Sequence, residues 1–193
     1  MLEIRWHGRG GQGVWSASAV LAAAAIEVGK YAQSFPQFGP ERTGAPVLAF
    51  NRIDDKPIVL HSMIEEPDIV VVIDRTLLSD RNAILGGLKP GGHLIADTEE
   101  SPDALRSRLD VPESVHVWTL DAVTLALEEV GRAVTNTPML GAVIRATGVV
   151  PIEAIEDAIR KRWKGEIGEK NVKAVRRAYN EVAYSPAKVE VKA

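Results

Sequence analysis

The sequence LEIRWHGRGGQGVWSASAVLAAAAIEV, residues 2–28, decides the fold of this chain. Apolar and polar side chains alternate over Leu2–Trp6, a pattern typical of a strand. An alanine-rich run without glycine, Val14–Val28, predicts a helix that ends at Gly29. Between the two lies the glycine loop, Gly8–Gly13, with the sequence GRGGQG. The chain therefore begins as a strand, a tight loop and a helix, the opening unit of an α/β protein.

The glycine spacing Gly8-x-Gly10-x-x-Gly13 is typical of a turn that holds the phosphates of a dinucleotide. Glycine allows positive φ and lets an anion approach the backbone, and the following helix points unpaired N–H groups at that anion. Arg9 could add a charge-assisted contact and Gln12 a hydrogen bond. On loop geometry alone, a tight turn that binds nothing remains the alternative.

An ordinary NAD site also needs an acidic residue about 20 residues after the loop, at the end of the second strand. The predicted second strand, Tyr31–Phe35, carries no carboxylate. Glu27 falls inside the predicted helix, and Glu41 falls in the following loop. The sequence thus disfavours NAD and leaves another phosphate-bearing ligand open.

Strands and helices alternate along the following part of the chain. Pro36–Pro46 is dense in proline, glycine and charge, which predicts a loop. Val47–Ile53 and Ile58–His61, joined by Asp54–Pro57, predict an antiparallel hairpin. The apolar run Ile69–Ile73 is typical of a strand buried on both faces of a parallel sheet. Further strands are predicted at His93–Ala96 and Val115–Leu120, and helices at Leu77–Leu88, Ala122–Val130, Met139–Thr147, Ile152–Trp163 and Val172–Ala183.

We therefore predict an α/β fold with a doubly wound, mostly parallel Rossmann-like sheet, an antiparallel hairpin and a helical C-terminal part. Residues 1–185 are expected to form a single α/β domain. Residues 186–193 are expected to form a C-terminal tail.

Composition excludes several function classes. The chain has 193 residues, 46% hydrophobic and 25% charged, as in globular proteins, and a net charge of −3 that does not indicate a nucleic-acid binder. With no cysteine it has no disulfide, thiolate nucleophile or cysteine-ligated cluster of its own. Four histidines (His7, His61, His93 and His116) show no pair at metal-ligand spacing. Any redox metal is therefore expected on another chain.

Targeting signals are not predicted. Glu3 and Arg5 interrupt any apolar start, and the longest apolar runs are too short to cross a bilayer. We expect a soluble cytoplasmic protein.

A second unusual segment, Ser34–Pro46, contains five glycines or prolines and predicts a stiff, irregular loop. It is expected at the carboxyl ends of the strands, where the glycine loop also opens. Arg42 either pairs with Glu41 or takes a phosphate or carboxylate. Phe35 and Phe38 are expected to pack in the core, with a partner subunit as the alternative.

Three other features are interpreted as structural. Asp74 is expected to cap the next helix, and His7 to pack or bond to backbone as readily as touch a ligand. A basic C-terminal surface is expected to be a solvated face, with an acidic neighbouring subunit as the alternative. It comprises Lys161, Arg162, Lys164, Lys170, Lys173, Arg176 and Arg177.

Together these segments resemble a known family. WHGRGGQG at Trp6–Gly13, QSFPQFGPERTGAPV at Gln33–Val47 and FNRI at Phe50–Ile53 resemble the gamma subunit of 2-oxoacid:ferredoxin oxidoreductases of the pyruvate synthase type. Asn136–Trp163 and the helix around Asn171–Tyr179 are similar to the same subunit. The resemblance spans nearly the whole chain.

The resemblance implies a multi-subunit enzyme that converts a 2-oxoacid, coenzyme A (CoA) and oxidised ferredoxin to acyl-CoA, CO2 and reduced ferredoxin. Thiamine diphosphate, Mg²⁺ and [4Fe-4S] clusters would lie in alpha, beta and delta partner subunits, which also meet ferredoxin. Pyruvate is the expected substrate, with branched-chain 2-oxoacids or an arylglyoxylate as alternatives.

For this chain the resemblance implies CoA binding and assembly, with no catalytic or metal-binding residue. A CoA phosphate is expected near Gly10, Gly11, Gln12 and Gly13. Arg9 and Arg42 are the expected charge partners. A stand-alone NAD(P)-binding oxidoreductase domain and a purely architectural subunit are the competing functions.

Overall fold

The computed structural model describes residues 1–37 and 44–188. Its strands are β1 (Leu2–Arg9), β2 (Tyr31–Gln37), β3 (Pro46–Asp54), β4 (Ile69–Val72), β5 (His93–Asp97), β6 (His116–Leu120) and β7 (Ala183–Ser185). Its helices are α1 (Val14–Glu27), α2 (Arg81–Leu85), α3 (Pro102–Leu109), α4 (Ala122–Val130), α5 (Asn136–Thr147), α6 (Ile152–Arg162) and α7 (Gly165–Glu181), with a 3-10 helix at Arg75–Ser79. Within this part of the chain, no helix is long and apolar enough to span a membrane.

All seven strands form one sheet, in the order β2-β3-β1-β4-β5-β6-β7. The central strands β1, β4, β5 and β6 are parallel. On one side, β3 pairs antiparallel with both β1 and β2, and on the other, β7 pairs antiparallel with β6. The predicted α/β fold with a parallel core and an antiparallel hairpin is confirmed.

The predicted position of the hairpin is wrong. The partner of β3 is β2, with Tyr31 opposite Asp54 and Gln37 opposite Leu48, and Ile58–His61 forms no strand. The backbone of that segment bonds to side chains instead of a ladder: Gln33 Nε2 donates to Leu60 O at 3.0 Å. Because its carbonyls are satisfied in this way, the apolar segment stays irregular.

Helices cover both faces of the sheet. Trp6, Val71 and their neighbours on one face pack against α1, α5, α6 and α7. Val70 and Val72 pack on the other face with residues of α2 and α3. The central strand β4 is buried on both faces, as its apolar run predicted.

Two differences between the predicted and the observed helices lie where a side chain caps the start of a helix. Asp80 accepts a hydrogen bond from Ala83 N and starts a new turn, which divides the predicted helix Leu77–Leu88 into a 3-10 helix and the short α2. The helix α3 and the strand β7 were not predicted. Ser101 caps α3 and Pro102 begins it, a start signal that the sequence does carry.

The predicted basic C-terminal surface is largely neutralised by ion pairs on α7 and its neighbours. Arg176 pairs with Glu156 and Glu153, and Arg177 pairs with three glutamates, Glu128, Glu129 and Glu181. These pairs engage Arg176 and Arg177 within the chain, and both interpretations of the surface stay predictions.

A buried cation fixes the β2–β3 side of the sheet. Arg52 is 1% exposed. Its Nε lies 2.9 Å from Glu3 Oε1, and its Nη2 donates to Ser62 O at 2.7 Å. A buried guanidinium is tolerated only when its charge and donors are matched, so Glu3 is the residue on which Arg52 depends.

Replacement Glu3→Gln should therefore lower the free energy of unfolding by about 2–4 kcal/mol, because a buried charge loses its counter-ion. Urea denaturation at neutral pH measures the change. Glu65→Gln, at an exposed glutamate, is the control and should change stability by less than about 0.5 kcal/mol. Equal effects of the two substitutions would contradict this account of Arg52.

Candidate functional site

The candidate site lies at the carboxyl edge of the sheet, between β1 and β4. The chain leaves β1 through the glycine loop into α1, on one face of the sheet. It leaves β4 toward the 3-10 helix and α2, on the other face. Adjacent strands whose connections leave to opposite faces open a crevice, the usual ligand position in α/β sheets.

The structure brings the two unusual segments of the sequence together at this edge. Gly10 N donates to Ala45 O at 2.9 Å, and Gly44 N donates to Gly10 O at 3.2 Å, which extends the β1–β3 ladder beyond Arg9. The glycine loop therefore lies beside the end of the Ser34–Pro46 segment. Arg42, with Glu41 and Phe38, lies outside the described residues.

The glycine loop is exposed at its middle residue, Gly11. Gly11 has φ +96°, and among the described residues no atom beyond its two chain neighbours lies within 4 Å of the position that a Cβ would take. Gly13, at φ +74°, precedes α1 without a capping side chain. Among residues 1–37 and 44–188, no hydrogen bond engages the N–H groups of Gly11, Val14 or Trp15. These donors fit an anion at the positive end of the helix.

The side chain of Gln12 is used inside the protein. Its Oε1 accepts from Arg9 N at 2.7 Å, and its Nε2 donates to Asp74 Oδ2 at 2.5 Å. Gln12 thus joins the end of β1 to the end of β4. Its side chain shapes the loop, and its backbone is what remains for a ligand.

Arg9 lies across the same edge. Its Nη2 donates to Thr76 Oγ1 at 2.9 Å and its Nη1 to Gly44 O at 3.0 Å, while the side chain stays 34% exposed. The guanidinium is held at the rim of the crevice with part of its surface open to solvent.

Asp74 caps the 3-10 helix, as predicted, by accepting from Thr76 N at 2.8 Å. Partial burial raises its pKa, but hydrogen bonds from Thr76 and Gln12 outweigh this and hold the pKa below the usual range. The carboxylate is therefore charged at neutral pH and orients Gln12 and Arg9.

Two contacts at the site were missed by sequence reasoning. Asn136 Nδ2, at the start of α5, donates to Gly13 O at 3.2 Å. Arg162 Nη2, at the end of α6, donates to Ser16 Oγ at 3.0 Å, in the first turn of α1. Trp15, beside Ser16, is 51% exposed. Arg162 therefore places a second guanidinium beside the helix N-terminus.

His7 faces away from the glycine loop. It is 6% exposed, and its Nε2 accepts from Arg5 Nε at 2.9 Å. Burial, and next the charge of Arg5, lowers the pKa of His7 to about 3. The packing interpretation of His7 therefore agrees with its geometry. Phe35 likewise packs on Phe50, with ring centroids 5.3 Å apart.

Further along the edge, charged groups neutralise one another. Arg75 bonds to Asp97 Oδ1 at 3.1 Å and Asp121 Oδ1 at 2.8 Å, so it is not available to an anion at the glycine loop. In the described ranges, no three His, Asp or Glu side chains lie close enough to hold a metal ion.

Comparison with known proteins gives consistent findings. Residues 3–181 match the family model described as pyruvate ferredoxin/flavodoxin oxidoreductase. A curated relative from Thermococcus litoralis, named pyruvate/ketoisovalerate oxidoreductases common subunit gamma, is 51% identical over 179 residues, covering 93% of this chain and 96% of the relative.

Two solved structures share the fold. The crystal structure of the pyruvate oxidoreductase subunit PORC from Thermotoga maritima is 48% identical, with a TM-score of 0.86 over 95% of this chain and 98% of that one. A 2-oxoglutarate:ferredoxin oxidoreductase from Magnetococcus marinus, with coenzyme A bound, is 18% identical, with a TM-score of 0.76 over 96% of this chain and 32% of that one. At that identity the likeness concerns the fold alone.

Replacement Gly13→Ala should destabilise the protein more than Gly29→Ala, by about 1–3 kcal/mol in the free energy of unfolding. Both glycines have positive φ, but only at Gly13 would the new methyl group lie 2.5 Å from another side chain, that of Asn136. Urea denaturation of both variants checks this, because Gly29→Ala carries the backbone strain without the clash. Equal losses would mean that Asn136 moves aside at no cost.

His7 should make stability depend on pH. Its pKa falls from 6.5 in the unfolded chain to about 3 in the fold, so the unfolded state binds more protons between these values. The contribution of neutral His7 to the free energy of unfolding is fully present above pH 6.5 and is lost as the pH falls toward 3. The slope of unfolding free energy against pH between 6 and 4 should drop by roughly 1 kcal/mol per pH unit in His7→Gln. An unchanged slope would contradict the assignment, and His61→Gln, at an exposed histidine, is the control.

Proposed function

The chain belongs to the pyruvate ferredoxin/flavodoxin oxidoreductase family, as a gamma subunit, and from this we propose that it binds a phosphate of CoA within a 2-oxoacid:ferredoxin oxidoreductase. The resemblance drawn from the sequence motifs is confirmed. The chain is thus a subunit of an oxidoreductase whose other subunits carry the reaction centre.

The substrate that we propose is pyruvate. The Thermococcus litoralis relative is named for pyruvate and ketoisovalerate, and the Thermotoga maritima subunit is named for pyruvate, so a branched-chain 2-oxoacid is the second candidate. Thiamine diphosphate with Mg²⁺ and the [4Fe-4S] clusters are assigned to alpha, beta and delta subunits. The absence of cysteine from this sequence supports that division, because the clusters need thiolate ligands.

One observation carries the assignment of CoA. Among the described residues, no hydrogen bond engages the N–H groups of Gly11, Val14 and Trp15, which lie where the glycine loop enters α1 at the carboxyl edge of the sheet. CoA carries a pyrophosphate and a 3′-phosphate, and a helix N-terminus with adjacent guanidinium groups suits such anions. Arg9 at the rim and Arg162 at Ser16 are the charges that the structure places nearby. Arg42 stays a predicted contributor.

The strand order argues against the competing NAD(P) function. In a dinucleotide fold, the strand after the first helix lies parallel beside β1 and carries the ribose-binding carboxylate. Here β3 lies between β1 and β2 and is antiparallel to both. The strand after the first helix, β2, therefore does not pair with β1 but forms the outer edge of the sheet. Its residues include no Asp or Glu. In the described residues, the β2–β3 side of β1 therefore offers no carboxylate at the position that would bind the ribose.

Binding measurements separate the three functions. Calorimetry of CoA and of NADH should be done with the assembled complex and with the isolated gamma chain. We expect CoA to bind the complex and NADH not to bind. NADH binding to the isolated chain would favour the dinucleotide function. Binding of CoA to the complex that is unchanged by substitutions at the glycine loop would favour the architectural one.

Replacement Arg9→Ala should raise the KM for CoA by about tenfold or more, because one charge-assisted contact to a phosphate is lost. The KM for the 2-oxoacid should stay within about twofold, since that substrate is proposed to bind elsewhere. Steady-state assays of the reconstituted complex measure both constants. Arg81→Ala is the matched control, because Arg81 is exposed and bonds to Leu109 O on the α3 side of the sheet. If the KM for CoA is unaltered in Arg9→Ala, the role assigned to Arg9 is wrong.

A further inference from the structure

The sheet has a second pair of neighbouring strands, β5 and β6, whose connections leave to opposite faces. The two strands are parallel and directly paired. The chain leaves β5 toward α3, which packs on the face of Val70 and Val72, and leaves β6 toward α4, which packs on the face of Val71. A pair of this kind opens a crevice at the carboxyl edge of the sheet, as β1 and β4 do at the glycine loop.

A crevice of about 370 Å³ lies at this second position, a volume within the range of ligand sites. Its lining comes from the segment that joins β5 to α3, the end of β6, the start of α4, and the end of α7 with the first residue of β7. None of the lining residues belongs to the glycine loop, so the two crevices are separate.

The lining of this second crevice is acidic. It contains four carboxylates, those of Glu99, Glu100, Asp121 and Glu181, and one guanidinium, that of Arg177. The local excess of three negative charges equals the net charge of the whole 193-residue chain. This acidic crevice therefore attracts a cation, whereas the glycine loop is flanked by guanidinium groups.

Internal ion pairs neutralise only part of this charge. Arg177 is shared by three glutamates, and Arg75 is shared by three carboxylates, one of them that of Asp121. Burial raises the pKa of Asp121, but hydrogen bonds from Thr124 and Arg75 outweigh this and hold the pKa below the usual range. Both bonds go to Oδ1, and no hydrogen bond among the described residues engages Oδ2. Asp121 thus offers a charged, free oxygen.

A buried hydroxyl also opens into the acidic crevice. Thr119, on β6, lines the crevice and is 3% exposed. Among residues 1–37 and 44–188, no hydrogen bond engages its Oγ1, and only Arg106 has a fully enclosed side-chain polar atom without a partner. The Thr119 hydroxyl therefore reaches the crevice. Because an unpaired buried hydroxyl is costly, a donor that enters the crevice is stabilised by bonding to it.

The remaining lining is apolar and includes Leu120, Leu125 and Pro102. A lysine or arginine side chain has the matching composition, since it combines an aliphatic stem with a cationic head that can only donate hydrogen bonds. A metal ion does not fit, because in the described ranges no three His, Asp or Glu side chains lie close enough to hold one. The lining thus suits an organic cation with an apolar stem.

The exposure of the carboxylates favours a side chain of another protein over a free amine. Ion pairs to partly exposed carboxylates are weak, and a free cation also loses its translational freedom on binding. A basic side chain on a protein that is already held by other contacts does not lose that freedom again. Other subunits are expected beside a gamma subunit and would supply such a side chain.

We propose that the acidic crevice between β5 and β6 binds a lysine or arginine side chain of a neighbouring subunit of the enzyme. The inference rests on the assignment of this chain as a gamma subunit and does not depend on CoA binding at the glycine loop. The two crevices would then have different tasks, one for an anionic co-substrate and one for assembly.

The affinity of the gamma chain for the remaining subunits tests the proposal. The double replacement Asp121→Asn and Glu181→Gln removes two charges from the crevice, and asparagine can still cap α4 as Asp121 does. Biolayer interferometry should show a Kd raised by about tenfold or more, mostly through faster dissociation. With the gamma chain in excess, the KM for CoA should stay within about twofold, which separates this site from the CoA site.

Two further variants sharpen the test. Glu166→Gln is the matched control, because Glu166, like Glu181, is an exposed glutamate of α7 in an i,i+4 ion pair, and it does not line the crevice. Its Kd should stay within about twofold of the wild type. Thr119→Val, which loses the buried hydroxyl, should raise the Kd by about threefold. An unchanged Kd in the double variant would overturn the proposal, as would an equal loss in Glu166→Gln.

A measurement on the wild type covers the case in which a variant fails to fold. Electron cryo-microscopy of the assembled complex should show a lysine or arginine nitrogen of a neighbouring subunit within about 4 Å of the Asp121 or Glu181 carboxylate. A crevice that faces solvent in the complex, or one that holds a free amine, would overturn the proposal.

Discussion

The candidate site depends on two hydrogen bonds made by the side chain of Gln12. This side chain accepts from the backbone at the end of β1 and donates to the carboxylate that ends β4. By joining two strands whose connections leave on opposite faces, it fixes the width of the crevice between them. Asp74 serves this bridge and the 3-10 helix at once, so the loop, the cap and the rim position of Arg9 form one network.

Local patterns predicted the parts of the fold that are local in sequence. The alternation in β1, the glycine loop and the alanine-rich α1 were placed to within a few residues, and α4 matched at both ends. The hairpin was misplaced because strand pairing depends on tertiary contacts that a local pattern does not show. Ile58–His61 has the composition of a strand, but its backbone carbonyls accept hydrogen bonds from the Gln33 side chain instead of from a neighbouring strand. The short β7 carries too few residues to form a pattern.

The site was predictable to a similar degree. Glycine spacing located the loop, and a resemblance added its neighbour, Ser34–Pro46. Arg162 was recognised only as part of a basic run, since its contact with Ser16 joins residues 146 positions apart. Gln12 was assigned to a ligand because spacing cannot show that a side chain is already engaged by the protein. Its partner Asp74 lies 62 positions away.

The strand order β2-β3-β1 has a consequence for what this crevice can hold. The hairpin occupies the flank on which a dinucleotide fold would grip the second half of its ligand. An elongated ligand such as the CoA that we propose would therefore be held here at one end only, and its other end would project beyond the chain. The length of such a molecule, and not a side chain of this subunit, would then determine how far its reactive end extends into a neighbouring subunit.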